Sequence, residues 1–153
     1  MIRIAEIESG SIADDLHLEI GTRIVRINGK RIRDGIDLTF LLANTALELE
    51  TVTSEGEEIL YEIEREPGES VGIVPAADSI RECGNKCVFC FIDGNPKDVR
   101  DSLWLRDDDF RLSFTYGSYV TLTNVGPRGM DRLVEQRISP LYVSVHATDP
   151  DVR

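Results

Sequence analysis

The sequence predicts an α/β chain in two parts, a small mixed α+β domain over residues 1–66 and a run of alternating strands and helices over residues 67–153. Three observations carry this reading. Short alternating runs broken by turn residues fill the first part. A charged segment containing Pro67-Gly68 divides the chain, as inter-domain connections do. Beyond it, an apolar run, a helical face and another apolar run follow in the order of a parallel βαβ unit, for which a right-handed crossover is expected. At 153 residues the chain is long enough for one ordinary domain or two small ones.

In the first part, Ile2, Ile4 and Ile7 form a strand-like run that leads into Ser9-Gly10-Ser11. Ser11 is then placed to cap a short helix over residues 12–16, because its hydroxyl can accept from a free N–H of the first turn. Residues 22–27 alternate as a half-buried strand, and Asn28-Gly29 follows as a hairpin signal, since both residue types tolerate positive φ. Residues 34–46 place Ile36, Phe40 and Leu41 on one helical face, with Leu47 next along it and Asp34 at the N-cap. Strand-like runs at 47–53 and 59–63 are separated by the turn Ser54-Glu55-Gly56-Glu57.

In the second part, Val71-Gly72-Ile73-Val74 is a short apolar run, residues 119–123 a second and residues 141–145 a third. Between the last two, Met130, Leu133, Val134 and Ile138 share one face at helical spacing. No internal repeat and no low-complexity segment interrupts the pattern.

Composition narrows the function classes. Seventeen basic residues against twenty-eight acidic ones give a formal net charge of −11, which opposes generic attraction to nucleic acid or to an anionic membrane. No apolar run approaches the roughly 20 residues that span a bilayer, and the N-terminal residues lack the layout of a signal peptide, so a cytoplasmic location is expected. The three cysteines stand within eight residues, an odd number in a reducing compartment, which points to metal or redox chemistry rather than a disulfide framework.

Cys83-Gly84-Asn85-Lys86-Cys87-Val88-Phe89-Cys90 spaces its thiols by three and then two residues. Three thiolates bound to a cubane of four irons leave one iron open to an exogenous ligand, the requirement for catalysis rather than plain electron transfer. Gly84 and Asn85 suit a loop that wraps tightly. A structural zinc site is the competing reading. It needs four protein ligands in closed tetrahedral geometry, and neither His17 nor His146 is an obvious fourth.

This Cys-x3-Cys-x2-Cys arrangement, with Phe89 before the last cysteine, resembles the signature of the radical S-adenosylmethionine superfamily. The resemblance implies a [4Fe–4S] cluster on Cys83, Cys87 and Cys90, with S-adenosylmethionine chelating the unique iron. It also implies an electron donor such as a flavodoxin or ferredoxin, and a 5′-deoxyadenosyl radical that abstracts hydrogen from a substrate. Phe89 is then expected against the adenine, or as a shield of the cluster from water. The runs Asn85-Lys86-Cys87-Val88-Phe89-Cys90-Phe91-Ile92-Asp93, Asp107-Asp108-Asp109-Phe110-Arg111-Leu112-Ser113-Phe114, Thr121-Leu122-Thr123-Asn124 and residues 139–150 are similar to a bacterial family of largely uncharacterised proteins, in which an N-terminal PDZ domain precedes a radical-SAM core.

Gly10-Ser11-Ile12-Ala13, Leu18-Glu19-Ile20-Gly21-Thr22 and residues 24–32 likewise resemble bacterial PDZ domains, with Ile20 and Thr22 where that pattern has Pro and Asp. The resemblance implies a PDZ-like domain over residues 1–66. Its groove would take a peptide as an added strand, or pack against the catalytic domain of its own protein.

Asp107-Asp108-Asp109 reads as a solvated or loop-ordering run in preference to a metal site, because adjacent side chains diverge. Arg100, Arg106 and Arg111 stand nearby in sequence, and Lys97 or Arg100 is a candidate partner for a carboxylate of cofactor or substrate. In barrels of the resembled class, functional side chains emerge at the carboxyl ends of parallel strands. This makes Asn124, Ser144 and His146 candidate cofactor-binding residues, with a half-buried, hydrogen-bonded histidine as the alternative for His146. No residue is singled out as the catalytic acid, base or nucleophile. Such cores resemble three-quarter barrels, and the third strand-like run ends just before Arg153, so about half of one is expected here. Whether these residues alone make an enzyme is left open on that ground, with a fragment or one part of a split enzyme as the expectation.

Overall fold

The computed structural model describes residues 1–149 and divides into two compact units, Met1–Asp78 and Ser79–Arg153. Pro150, the last residue of the run compared above, and residues 151–153, the end of the expected second part, lie outside the described residues.

The first unit is a mixed α+β fold built on an antiparallel sheet. In chain order its elements are β1 (Ile2–Ile7), α1 (Ile12–Asp15), β2 (Arg23–Ile27), β3 (Lys30–Arg31), α2 (Gly35–Leu41), β4 (Ala46–Val52), β5 (Glu58–Glu64) and β6 (Ile73–Pro75). The sheet order is β5-β4-β2-β1-β6, with β3 paired to β2. Period-two alternation sends one face of each strand inward, and in β2 a register shift between Ile24 and Arg26 moves the inward position on to Ile27. Ile2 and Ile4 of β1, Ile24 and Ile27 of β2, and Leu47 and Leu49 of β4 are all buried, and Leu38 and Leu41 of α2 join them. Each such side chain contributes about 1.5–3 kcal/mol on removal from water.

Local signals place the ends of these elements. Ser11 accepts from the Asp14 N–H at 3.3 Å and Asp34 from the Asp37 N–H, so both expected caps are present. Asn28 and Gly29 both take positive φ, 49° and 71°, as the two-residue hairpin between β2 and β3 demands. The inward face of α2 differs from the sequence expectation, because Phe40 is exposed while Leu38 and the carboxylate of Asp37 are buried. Asp37 is tolerated there because it accepts from both the backbone N–H and the guanidinium of Arg33. Leu47 lies in β4 rather than extending the helix.

The largest departure concerns residues 67–78. The sequence reading starts a new domain at Pro67, whereas the first unit continues to Asp78. Pro67-Gly68 forms a turn, and Ile73–Pro75 returns as β6 against β1 in the register Ile4↔Pro75, Glu6↔Val74 and Ile7↔Ile73. Val71 enters the core, and its carbonyl accepts from Ala13 N–H at 2.9 Å. Gly72 has φ +78°, and a Cβ there would lie 2.1 Å from Ser11 Oγ, so only glycine fits.

The second unit contains a 3-10 turn (Asp101–Trp104), α3 (Phe110–Tyr116), β7 (Tyr119–Val120), α4 (Pro127–Glu135) and β8 (Tyr142–Val143). β7 and β8 pair in parallel, Tyr119 with Tyr142 and Val120 with Val143, so the expected βαβ unit is present with shorter strands. α4 starts at Pro127, a residue suited to the first turn of a helix. Leu133 and Ile138 are buried as expected, but Met130 and Val134 are exposed. Their place is taken by Arg132, which is buried with its guanidinium over the Phe110 ring at 5.5 Å. Among the described residues no helix is long and apolar enough to cross a membrane.

Candidate functional site

The loop that carries the cysteines is held at its start by backbone pairing. Cys83 N–H donates to the Arg106 carbonyl at 2.6 Å and Asp108 N–H to the Arg81 carbonyl at 2.9 Å, so residues 81–83 run antiparallel beside 106–108. Farther along, Cys90 N–H donates to the Cys87 carbonyl at 3.1 Å and Gly94 N–H to the Cys90 carbonyl at 3.3 Å, which closes consecutive tight turns. These turns leave Val88 and Phe91 in solvent while Ile92 is buried.

All three cysteines are free, partly exposed thiols, and all three line one cavity of about 280 Å³. Ser144 and His146, from the chain leaving β8, and Thr121, just beyond β7, line it as well. The cavity thus sits at the carboxyl ends of the parallel strands, where a βαβ unit gathers its loops. Ser144 N–H donates to the Val120 carbonyl at 2.8 Å, which extends the parallel pairing and fixes the side chain that follows.

Phe89 does not line the cavity. It is largely exposed, with its ring 5.3 Å from that of His146. Asn124 is also absent from the lining, and its Nδ2 donates to the carbonyls of Asp108 at 2.8 Å and Glu82 at 3.3 Å. Lys97 and Arg100 stand outside the lining too. Arg106 lies within it and pairs with Asp93.

The triple acid separates into distinct roles. Asp107 and Asp108 both line the cavity, Asp108 as a buried side chain, and Asp109 is buried away from it. Asp109 caps α3 and pairs with Arg111, whose Nη2 also donates to the Ser79 carbonyl. Burial pushes the Asp109 carboxyl up, but hydrogen bonds from the Arg111 side chain and from the Arg81 and Arg111 N–H groups, with the guanidinium charge, outweigh it and hold it below the usual carboxylate value. Asp108 accepts from Thr121 N–H at 2.6 Å and from Thr121 Oγ1 at 2.7 Å. The loop-ordering part of the sequence reading therefore describes both residues, and the solvated part does not.

Asn85, read from the sequence only as a residue that suits a tight loop, and Thr121, read only as part of a strand-like run, both bring side chains to the site. No local signal marked Thr121: Leu122 takes φ +59°, and that left-handed turn, not strand alternation, brings the Thr121 and Thr123 hydroxyls to 2.8 Å. Asn85 Nδ2 reaches Thr123 Oγ1 at 2.8 Å and Thr121 Oγ1 at 3.4 Å.

The chemistry of the donors bears on what this loop would hold. Among the described residues no group of three or more Cys, His, Asp and Glu side chains converges closely enough for one metal ion. Three thiols of one loop around one cavity are the kind of donor set a cubane iron–sulfur cluster takes, one thiolate to each of three irons.

No match is found among curated proteins. A family model described as a radical SAM-like domain matches residues 65–153, more than half of the chain, which runs from the turn before β6 through the cysteine loop and the βαβ unit. On that match the chain belongs to the radical SAM-like domain family.

Proposed function

We propose that Cys83, Cys87 and Cys90 hold a [4Fe–4S] cluster for radical chemistry with S-adenosylmethionine. The observation that carries the reading is the placement of three free thiols of one loop around one cavity that also receives Ser144 and His146, in a chain of this family. When bound, the cluster supplies the electron for reductive cleavage of S-adenosylmethionine, the source of a hydrogen-abstracting 5′-deoxyadenosyl radical. The chain's own contribution is to bind and orient. Ser144 and His146 would meet the cofactor from the strand ends, and Phe89, whose ring lies 5.3 Å from that of His146 at the cavity's edge, would lie against its adenine. Asn124, whose amide is engaged by two backbone carbonyls, supports the loop from behind. An electron donor such as a flavodoxin or ferredoxin completes the cycle, and a reducing cytoplasmic compartment suits the three unpaired thiols.

We read the first unit as PDZ-like. Thr39 of α2 and Leu42 and Ala43 just after it face residues 70–73 across a cleft of about 290 Å³, and β6 is an edge strand of the sheet. These features suit strand addition by a peptide or by a segment of the same protein. Pro75 lacks an N–H and limits that addition to the residues before it.

Anaerobic reconstitution tests the main reading. About four irons per chain and a visible spectrum altered by S-adenosylmethionine are expected, and stoichiometric zinc without iron would replace this reading with a zinc-stabilised binding module. Titration of the first unit's cleft with C-terminal peptides, in a chain whose three cysteines are alanine, separates peptide capture from cluster chemistry.

A further inference from the structure

We propose that Asp108, Thr121, Thr123 and Asn85 form a one-way hydrogen-bond relay that positions the cysteine loop over its cavity. The proposal rests on the cluster reading for its purpose and on geometry for its existence.

The relay starts from a buried group. Asp108 is 2% exposed, and its two oxygens accept from the N–H and the hydroxyl of Thr121. Thr121 Oγ1 donates to Asp108 Oδ2, so the single proton of that hydroxyl is committed there. Thr121 Oγ1 lies 2.8 Å from Thr123 Oγ1, where either hydroxyl is able to donate. With the Thr121 proton already spent, Thr123 must be the donor. Thr123 Oγ1 then has only acceptor capacity left, and the amide of Asn85 fills it at 2.8 Å. The direction of the chain is therefore set from the buried end: Asn85 to Thr123, Thr123 to Thr121, Thr121 to Asp108.

Asn85 sits between Cys83 and Cys87. The relay joins the midpoint of the first cysteine interval to residues just beyond β7, while the backbone bond from Cys83 to Arg106 holds the start of that interval. Two attachments on different residues remove the swing that one attachment leaves. Bonds behind metal ligands commonly decide ligand orientation, and their loss costs metal affinity without touching a ligand.

The relay distinguishes hydroxyl from shape. Thr121→Ser keeps the bridging oxygen, Thr121→Val keeps the branched shape and loses it, and Asn85→Ala removes the loop end while leaving the buried Asp108–Thr121 pair intact. In the full chain, two readouts are taken: loss of iron to a chelator after anaerobic reconstitution, and alkylation rates of Cys83 and Cys87 by iodoacetamide in the metal-free chain, resolved by mass spectrometry. Thr121→Val and Asn85→Ala are expected to lose iron about tenfold faster than the parent and to alkylate faster, with Thr121→Ser close to the parent in both. Equal behaviour of the Ser and Val variants, or parental alkylation rates in Asn85→Ala, overturns the relay. If Thr121→Val does not fold, Asn85→Ala decides alone. A parent chain that takes up no iron defeats the cluster reading, and the alkylation comparison still decides the relay.

Discussion

The side-chain amide of Asn124 lies 2.8 Å from the carbonyl oxygen of Asp108. The same amide reaches the Glu82 carbonyl at 3.3 Å, so one side chain pins two segments that meet beside the first cysteine. Asn124→Ala strips a donor from both carbonyls, which water can reach, and is expected to cost about 0.5–1.5 kcal/mol. Urea unfolding of the second unit checks this, together with faster hydrogen exchange at the Cys83 and Asp108 amides. Asn124→Asp, which cannot donate, should behave like the alanine variant, and parental stability in both would show that the two bonds carry no weight.

Asp109 gives the second unit an acid-sensitive cap. Its carboxyl is held below the usual aspartate range, so the unfolded chain takes up its proton at higher pH than the folded one. Stability from this group is fully present above about pH 4 and is lost as pH falls through the depressed folded value. Asp109→Asn should destabilise the unit at neutral pH and flatten its stability profile below about pH 4, because the linked proton is gone. Chemical unfolding measured at a series of pH values provides the check, and an unchanged acid slope in the variant would contradict it.

Gly72 lies where the chain turns into β6. Gly72→Ala places a Cβ within 2.2 Å of the Ser11 side chain at a positive φ, so at least about 2 kcal/mol should be lost. Gly56, also at positive φ but with open space around it, should lose only the conformational part, about 1–2 kcal/mol, on the same change. Thermal unfolding of the two variants side by side separates the steric from the backbone cost.

The loop tip separates ligands from bystanders. Cys87→Ala is expected to abolish retained iron after reconstitution, whereas Val88→Ser, at a fully exposed position, should keep parental iron and change stability by no more than about 0.5 kcal/mol. Iron quantified per chain after gel filtration is the measurement, and equal iron in the Cys87→Ala variant and the parent would remove Cys87 from the ligand set.

Much of the fold was legible in the residues themselves. Ser11 and Asp34 cap the helices they precede, Asn28-Gly29 turns the hairpin, and the helical run between residues 119–123 and 141–145 becomes the crossover of a parallel pair. The cysteine spacing marked the candidate site. The inward faces of α2 and α4 were read less well. A buried Asp37 and a buried Arg132 are polar in any hydropathy pattern, and distant or turn-adjacent groups, Arg33 in one case and Phe110 and Gln136 in the other, help make their burial tolerable.

The sequence alone determined what depends on near neighbours: residues able to adopt positive φ, caps within one helical turn, and three sulfur donors within one loop. These are short-range constraints that act wherever the chain lies. Tertiary structure decided that Ile73–Pro75 completes the first sheet, that Asp108 and Asp109 are buried, and that Thr121 and Thr123 meet Asn85. The physical reason is that an edge strand needs a distant partner backbone and a buried carboxylate needs distant donors. Both are supplied by packing, which no local window of sequence contains.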